Sequence, residues 1–253
     1  QRARDFYYEW YRPELMAVIA IGDFEKENIV SLIKEHFSYL TNPTQARPRE
    51  VYSVPFTSKD SVHFVTDTEE TTTWLQVLFN HKAKLFQTQG DYRDELVLGM
   101  YLYLLNQRLS EIAMQKDPPF VTAEIYVDQL TPKNTVYALA FSPLNNDFEH
   151  GFEAILTEIN RVRQHGFLNS ELERIKDDYL SYYQTMYDNR DDLDSALLIE
   201  HFIESIVSKE TITSIVFDYD LINAILPTIT TEDLKTITDQ WFLNEGRKIV
   251  ITA

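Results

Sequence analysis

The chain predicts an α+β fold, a mainly antiparallel sheet with helices packed on one face, and three features carry that expectation. Strand-like segments gather between residues 62 and 141, the stretch from 147 to 240 reads as almost entirely helical, and an apolar strand returns at Lys248 to Thr252. Strands first, helices after and a closing strand describe segregated α+β organisation, not alternating βα units. With 253 residues and 44% hydrophobic side chains, the chain is long enough to bury a sizeable core.

In order along the chain, Ala3, Phe6, Tyr7 and Trp10 share one helical face, and Pro13 forbids that helix from continuing. Met16 to Ile21 is a continuous apolar run, the pattern of a buried strand. Gly22-Asp23 turns the chain, with Asp23 as the expected N-cap of a helix through Ile29, Ile33 and Phe37. Residues 41 to 60 hold Pro43, Pro48 and Pro55 without any period, which marks a linker.

Val62 to Thr66 and Trp74 to Phe79 follow as strands, the second with Leu75, Val77 and Phe79 alternating. A helix with apolar residues on most sides runs from about Tyr92 to Met114, with Asp91 as its expected cap. Val121, Ala123, Ile125 and Val127 alternate with polar residues, and Thr135 to Phe141 forms the hairpin partner across Pro132-Lys133-Asn134. Later helices are expected to start near Asp147, Asn169, Asp191, Lys209 and Thr230, with breaks at Gly166, Asn189-Arg190 and Pro227.

Composition excludes several functions. Forty acidic against 23 basic side chains give a net charge of −17, which repels phosphate backbones, so no nucleic-acid partner is expected. No cysteine is present, which removes disulfides, thiolate metal sites and a Cys nucleophile. The histidines are His36, His63, His81, His150, His165 and His201, and no two are three or four residues apart. A helical zinc site needs two imidazoles one turn apart, so no metal-ligating, catalytic or cofactor-binding residue is assigned. No Gly-x-Ser-x-Gly elbow or glycine-rich phosphate loop occurs. Asp177-Asp178 and Asp191-Asp192 diverge around their helices or serve helix starts. Ser181 with Tyr182, Tyr183 and Tyr187 reads as a core or interface row.

Phe6 to Gly22 also aligns without gaps onto Ile237 to Ala253, setting Trp10 on Trp241, Glu14 on Glu245 and Val18-Ile19-Ala20 on Ile249-Val250-Ile251. The echo suggests that the chain opens at the tail of one repeat and closes at the same point of the next. Its start, inside a helical pattern, is expected to be a cut within a longer polypeptide.

The run Phe6-Tyr7-Tyr8-Glu9-Trp10-Tyr11-Arg12-Pro13, followed by an apolar strand and Gly22-Asp23, resembles a hallmark of the M16 (pitrilysin/insulinase-like) zinc metallopeptidase family. Three further segments are similar to that family: Leu105 to Ile112 with Pro118-Pro119-Phe120, Phe167 to Lys176, and Leu226 to Asp233. The resemblance implies that residues 1–22 are the tail of a preceding M16 domain, 23–59 a helix and linker, and 60–253 a second, non-zinc domain. It implies that zinc and its His-x-x-Glu-His belong to the preceding domain of a parent metalloendopeptidase. This chain is then inactive alone and forms part of the substrate chamber; the alternative is a structural partner subunit of a two-chain peptidase.

An Arg and a Tyr that the family draws from its non-zinc half are not in register between Arg108 and Phe120, so Arg108 and Tyr126 receive no substrate role. The implied partners are the rest of the parent and a peptide substrate. Met16 to Ile21, cut from its home sheet, is expected to stay unsatisfied or to pair with a second copy. The residues leave the compartment open; by resemblance alone, a periplasmic or cell-envelope location is the expectation.

Overall fold

The computed structural model describes residues 1–85, 87–242 and 245–253. Their contacts define two compact units, Gln1–Glu50 with Asn189–Ile212 and Val51–Asp188 with Thr213–Ala253.

The larger unit holds one five-stranded sheet. Its strands are β1 (Ser61–Val65), β2 (Trp74–Lys82), β3 (Phe120–Thr131), β4 (Asn134–Pro143) and β5 (Lys248–Thr252), ordered β1-β5-β2-β4-β3. Every neighbouring pair is antiparallel except β1 with β5. The returning strand therefore lies inside the sheet, flanked by one parallel and one antiparallel neighbour. The hairpin from β3 to β4 is longer than its alternating core implied, with a register shift between Gln129 and Thr131 beside the turn.

Period-two alternation decides which face meets the helices. Leu75, Val77 and Phe79 of β2 pair across to Phe141, Leu139 and Tyr137 of β4, and Ala123 and Ile125 of β3 complete that face. These residues join the hydrophobic core, whereas Gln76, Glu124 and Tyr126 point the other way. The helices of this unit are α3 (Gln89–Ala113), α4 (Phe148–His165), α5 (Asn169–Asp188), α7 (Ile215–Ile225) and α8 (Thr231–Trp241), with α6 (Ser195–Ser208) assigned to the smaller unit. Met100, Tyr101, Leu104, Leu105 and Leu109 of α3 are at most 1% exposed. Each such side chain stabilises by about 1.5–3 kcal/mol relative to exposure.

Caps explain most helix starts and shift some of them. Thr88, not Asp91, is the N-cap of α3; Asp91 sits three residues inside and closes a capping box with Thr88. Its carboxyl is lowered to about 2 by the Thr88 hydroxyl, the Gln87 N–H and Lys84. The same box recurs at α8 between Thr230 and Asp233. Asp147 caps α4 as expected, and Gly166 ends it at φ 71°, a backbone setting that suits glycine. Ser214, not Lys209, caps α7. Lys209 is instead the left-handed residue that closes the preceding helix.

The smaller unit contains α1 (Arg2–Trp10), α2 (Lys26–Phe37) and α6 (Ser195–Ser208). Asp194 caps α6, three residues beyond the start expected at Asp191. Glu25 occupies the N-cap position of α2, so Asp23 does not cap it. The strand expected over Met16 to Ile21 is not in a ladder. Met16 has extended backbone (φ −118°, ψ 151°), yet no strand is assigned there and Met16 and Val18 are about half exposed. A strand needs a neighbour to satisfy its backbone groups, and no described residue supplies one.

Residues 51–58, expected to be linker, are held to the sheet unit. Asn134, fully buried, accepts from the Val54 N–H at 2.8 Å and donates to the Val54 carbonyl at 3.0 Å. Residues 189–212 leave the helical run to group with the smaller unit.

Candidate functional site

In the smaller unit the Trp-Tyr-Arg-Pro motif builds a cation–aromatic cluster. α1 ends at Trp10, whose ring lies 5.7 Å from the Arg12 guanidinium and 5.4 Å from that of Arg47. Arg12, only 4% exposed, donates to the Arg47 carbonyl at 2.9 Å and pairs with Glu14 at 3.1 Å. Arg47 in turn meets Glu9 at 3.1 Å. Buried arginines are rare unless paired, and here the motif ties the 41–50 segment back to the end of α1. Its chemistry is structural.

In the larger unit the strongest charge cluster centres on Arg108 of α3. Its Nη1 donates to Glu158 of α4 at 2.9 Å, and its Nε and Nη2 donate to the two oxygens of Glu171 of α5 at 3.0 and 2.8 Å. The guanidinium also lies 4.8 Å from the Phe167 ring. Burial would raise the Glu171 carboxyl, but hydrogen bonds from Arg108 and the Leu168 N–H outweigh it and hold the group below its ordinary value. All of these donors are directed at protein carboxylates, so Arg108 has no free fork for a substrate. Tyr126, on the opposite sheet face, accepts from Gln76 at 3.1 Å.

Two further groupings lie beyond the reach of local spacing. Tyr92 of α3 and Tyr183 of α5 share a hydroxyl–hydroxyl bond of 2.9 Å, and burial raises both phenols. Tyr187 stacks on Tyr219 at 4.5 Å, so the tyrosine row of α5 binds helix to helix. A cleft of about 210 Å³ between α3 and α8 carries Lys84, Arg93, Asp94 and Asp233. Its cations are already matched, Lys84 with Asp94 at 2.6 Å and Arg93 with Asp233 at 2.8 Å. Lys84 and Asp94 are ten residues apart, but Tyr92–Tyr183 and Arg93–Asp233 lie 91 and 140 residues apart and leave no local sequence signal.

The histidines lie on separate elements. His36 is on α2 and His201 on α6 in the smaller unit; His63 is on β1, His81 on β2, and His150 and His165 on α4 in the larger. His63 Nε2 bonds the Ser61 hydroxyl at 2.9 Å. His81 Nε2 contacts the Trp241 carbonyl at 3.3 Å, edge-on to Tyr137. Among the described residues no group of three or more His, Asp or Glu side chains is arranged to hold a metal ion. Donors scattered in this way do not fit zinc, which needs three or four converging on one point.

Fold and site together define an α+β domain whose charged and aromatic clusters join helices and loops. A family model described as "Peptidase M16 inactive domain" matches residues 1–179, and the chain belongs to the M16 peptidase family. It is 28% identical over 240 residues to a "Zinc protease PQQL-like" of Arabidopsis thaliana, covering 94% of this chain and 22% of the relative. It is 22% identical over 253 residues to the "Probable zinc protease PqqL" of Haemophilus influenzae, covering 100% and 27%. The crystal structure of the first half of the periplasmic protease PqqL from Escherichia coli superposes with a TM-score of 0.86 at 20% identity, over 99% of this chain and 53% of that one. The chain thus spans about a quarter of the length of these curated relatives.

Proposed function

We propose that this chain is a non-catalytic part of a longer zinc metalloendopeptidase, forming wall and support of a chamber in which peptides are cut. One observation carries the reading: Met16 to Ile21 is an apolar run outside any ladder, with extended backbone at Met16. The echo sets this segment on β5, and the helices before the two segments end at the corresponding tryptophans, Trp10 and Trp241. In this reading residues 1–22 belong to a preceding domain, and Met16 to Ile21 fills the place in that domain's sheet that β5 fills here, between a parallel and an antiparallel neighbour.

Zinc, in this reading, is held by that preceding domain, where it supplies a polarised water and a Lewis acid for amide hydrolysis. The present residues ligate nothing and take no catalytic part. They position the neighbouring domain and close off solvent. A periplasmic location is supported by the description of the Escherichia coli protease. Separated from its neighbours, the unladdered segment is exposed to pairing with a second copy.

The test is zinc content and cleavage of an unstructured peptide, measured on the full gene product and on residues 1–253 alone. The expected result is about one zinc and chelator-sensitive cleavage in the former, and neither in the latter. Zinc-dependent cleavage by residues 1–253 alone overturns the reading. A full gene product that lacks a His-x-x-Glu-His and does not cleave makes the assembly a structural partner subunit instead.

A further inference from the structure

The helix-bearing face of the sheet is not covered evenly. Residues Val77 and Leu75 of β2 continue in register to Ile249 and Ile251 of β5 and then to Val62 and Phe64 of β1. Exposure rises along that path, from 2% at Val77 to 53% at Val62 and 74% at Phe64. Beside the strip stands α4, and between them runs a groove of about 670 Å³ floored by Leu75, Val77 and Ile249. Its wall is the row Phe148, Phe152 and Leu156, spaced four residues apart. Such a row is the ridge by which one helix packs alongside another.

Dimensions select the occupant. Strands β1 and β5 are five residues each, about 17 Å long, and together span about 10 Å. That is the footprint of one helix of about three turns, since a helix is about 10 Å across and rises 1.5 Å per residue. Charge selects its chemistry. Glu149 and Glu153 of α4 follow the apolar ridge along the groove, both exposed and neither ion-paired with a described residue, and no cation lines the groove among the described residues.

We propose that the groove over β2 and β5, continued by the exposed residues of β1, receives an amphipathic helix that lays an apolar row against Phe152, Ile249 and Phe64 and sets Lys or Arg opposite Glu149 and Glu153. That helix belongs to the remainder of the longer polypeptide, so the proposal rests on the reading above.

The experiment compares the full gene product with residues 1–253 by amide exchange and by zero-length carboxylate-to-lysine cross-linking with mass spectrometry. Backbone amides of Ile249 and Ile251 are expected to exchange roughly tenfold or more slowly in the full product. Cross-links are expected from Glu149 or Glu153 to a lysine of a helix outside residues 1–253, and the Glu149→Lys, Glu153→Lys double variant is expected to lose that added protection. Equal exchange of β5 in both proteins, or cross-links only to a second copy or to a non-helical segment, overturns the proposal. Exchange at Met16 to Ile21 separates the two ideas. If that segment gains protection while β5 does not, only the docking helix is wrong; if neither gains it, the placement of this chain within a larger peptidase fails as well.

Discussion

Arg108 on α3 and Glu171 on α5 meet side-on through two parallel hydrogen bonds, Nε to Oε1 at 3.0 Å and Nη2 to Oε2 at 2.8 Å. The remaining arm of the same guanidinium reaches Glu158 on α4, so one residue joins three helices. The planar fork of arginine matches a carboxylate in a way that a lysine ammonium does not. The Arg108→Met variant is expected to lose about 3 kcal/mol, the lower end for breaking a buried pair, because Arg161 still holds Glu158 at 2.9 Å. Arg108→Lys should recover less than half of the loss. Urea denaturation checks both; an unchanged midpoint in Arg108→Met contradicts the structural role.

Asn134 is expected to matter more than a turn residue should. Its amide serves both backbone groups of Val54 and also donates to Asn80 at 2.9 Å. Asn134→Ala leaves the Val54 N–H without its partner, while Asn80 still donates to the Val54 carbonyl at 3.3 Å, and should cost about 1–3 kcal/mol. Limited proteolysis should then cut first within residues 51–58. Cleavage elsewhere at unchanged stability would show that the strap is held by other means.

Gly151 of α4 leaves no room for a side chain. A Cβ there meets Phe141 Cε2 at 2.6 Å and the Pro119 carbonyl oxygen at 3.2 Å. Gly151→Ala is therefore expected to destabilise by about 1–3 kcal/mol despite the better helix propensity of alanine. Thermal unfolding measures it, and a stabilised variant would show that the helix–sheet contact is looser than described.

His81 sets a pH dependence. Burial lowers its pKa below 6.5, against the opposing bond to the Trp241 carbonyl. The unfolded imidazole takes up its proton first as the pH falls. Stability from this group is thus complete above pH 6.5 and is lost as the pH drops through the lowered folded value. The His81 ring resonances should titrate with a midpoint under 6.5; a midpoint at or above it contradicts the burial.

How far each element could be read depended on how local its cause is. The alternation of Leu75, Val77 and Phe79 and of Ala123 and Ile125 specified strands and their inward faces, because a strand's two faces are written at every second residue. The cap at Thr230 and the break at Gly166 were equally local. Asp23, Asp91 and Lys209 misled because several polar residues near each helix start compete for the cap, and backbone geometry chooses among them. Of the candidate site, the sequence showed only that its histidines lack helical spacing. The half-buried hub at Arg108 had no readable sign, since Glu158 and Glu171 lie 50 and 63 residues away.

By itself, then, the amino-acid order determined the α+β class, the inward faces of the strands, the acidic surface and the lack of a paired-histidine motif. All of these follow from composition or from spacings of a few residues. Tertiary structure alone decided which charges pair, that Asn134 reaches 80 residues back to hold Val54, and that Met16 to Ile21 lies outside a ladder while its echo β5 sits within one. The two segments carry the same kind of apolar run. They differ in whether the fold brings neighbours alongside, and backbone hydrogen bonding between strands depends on that alone.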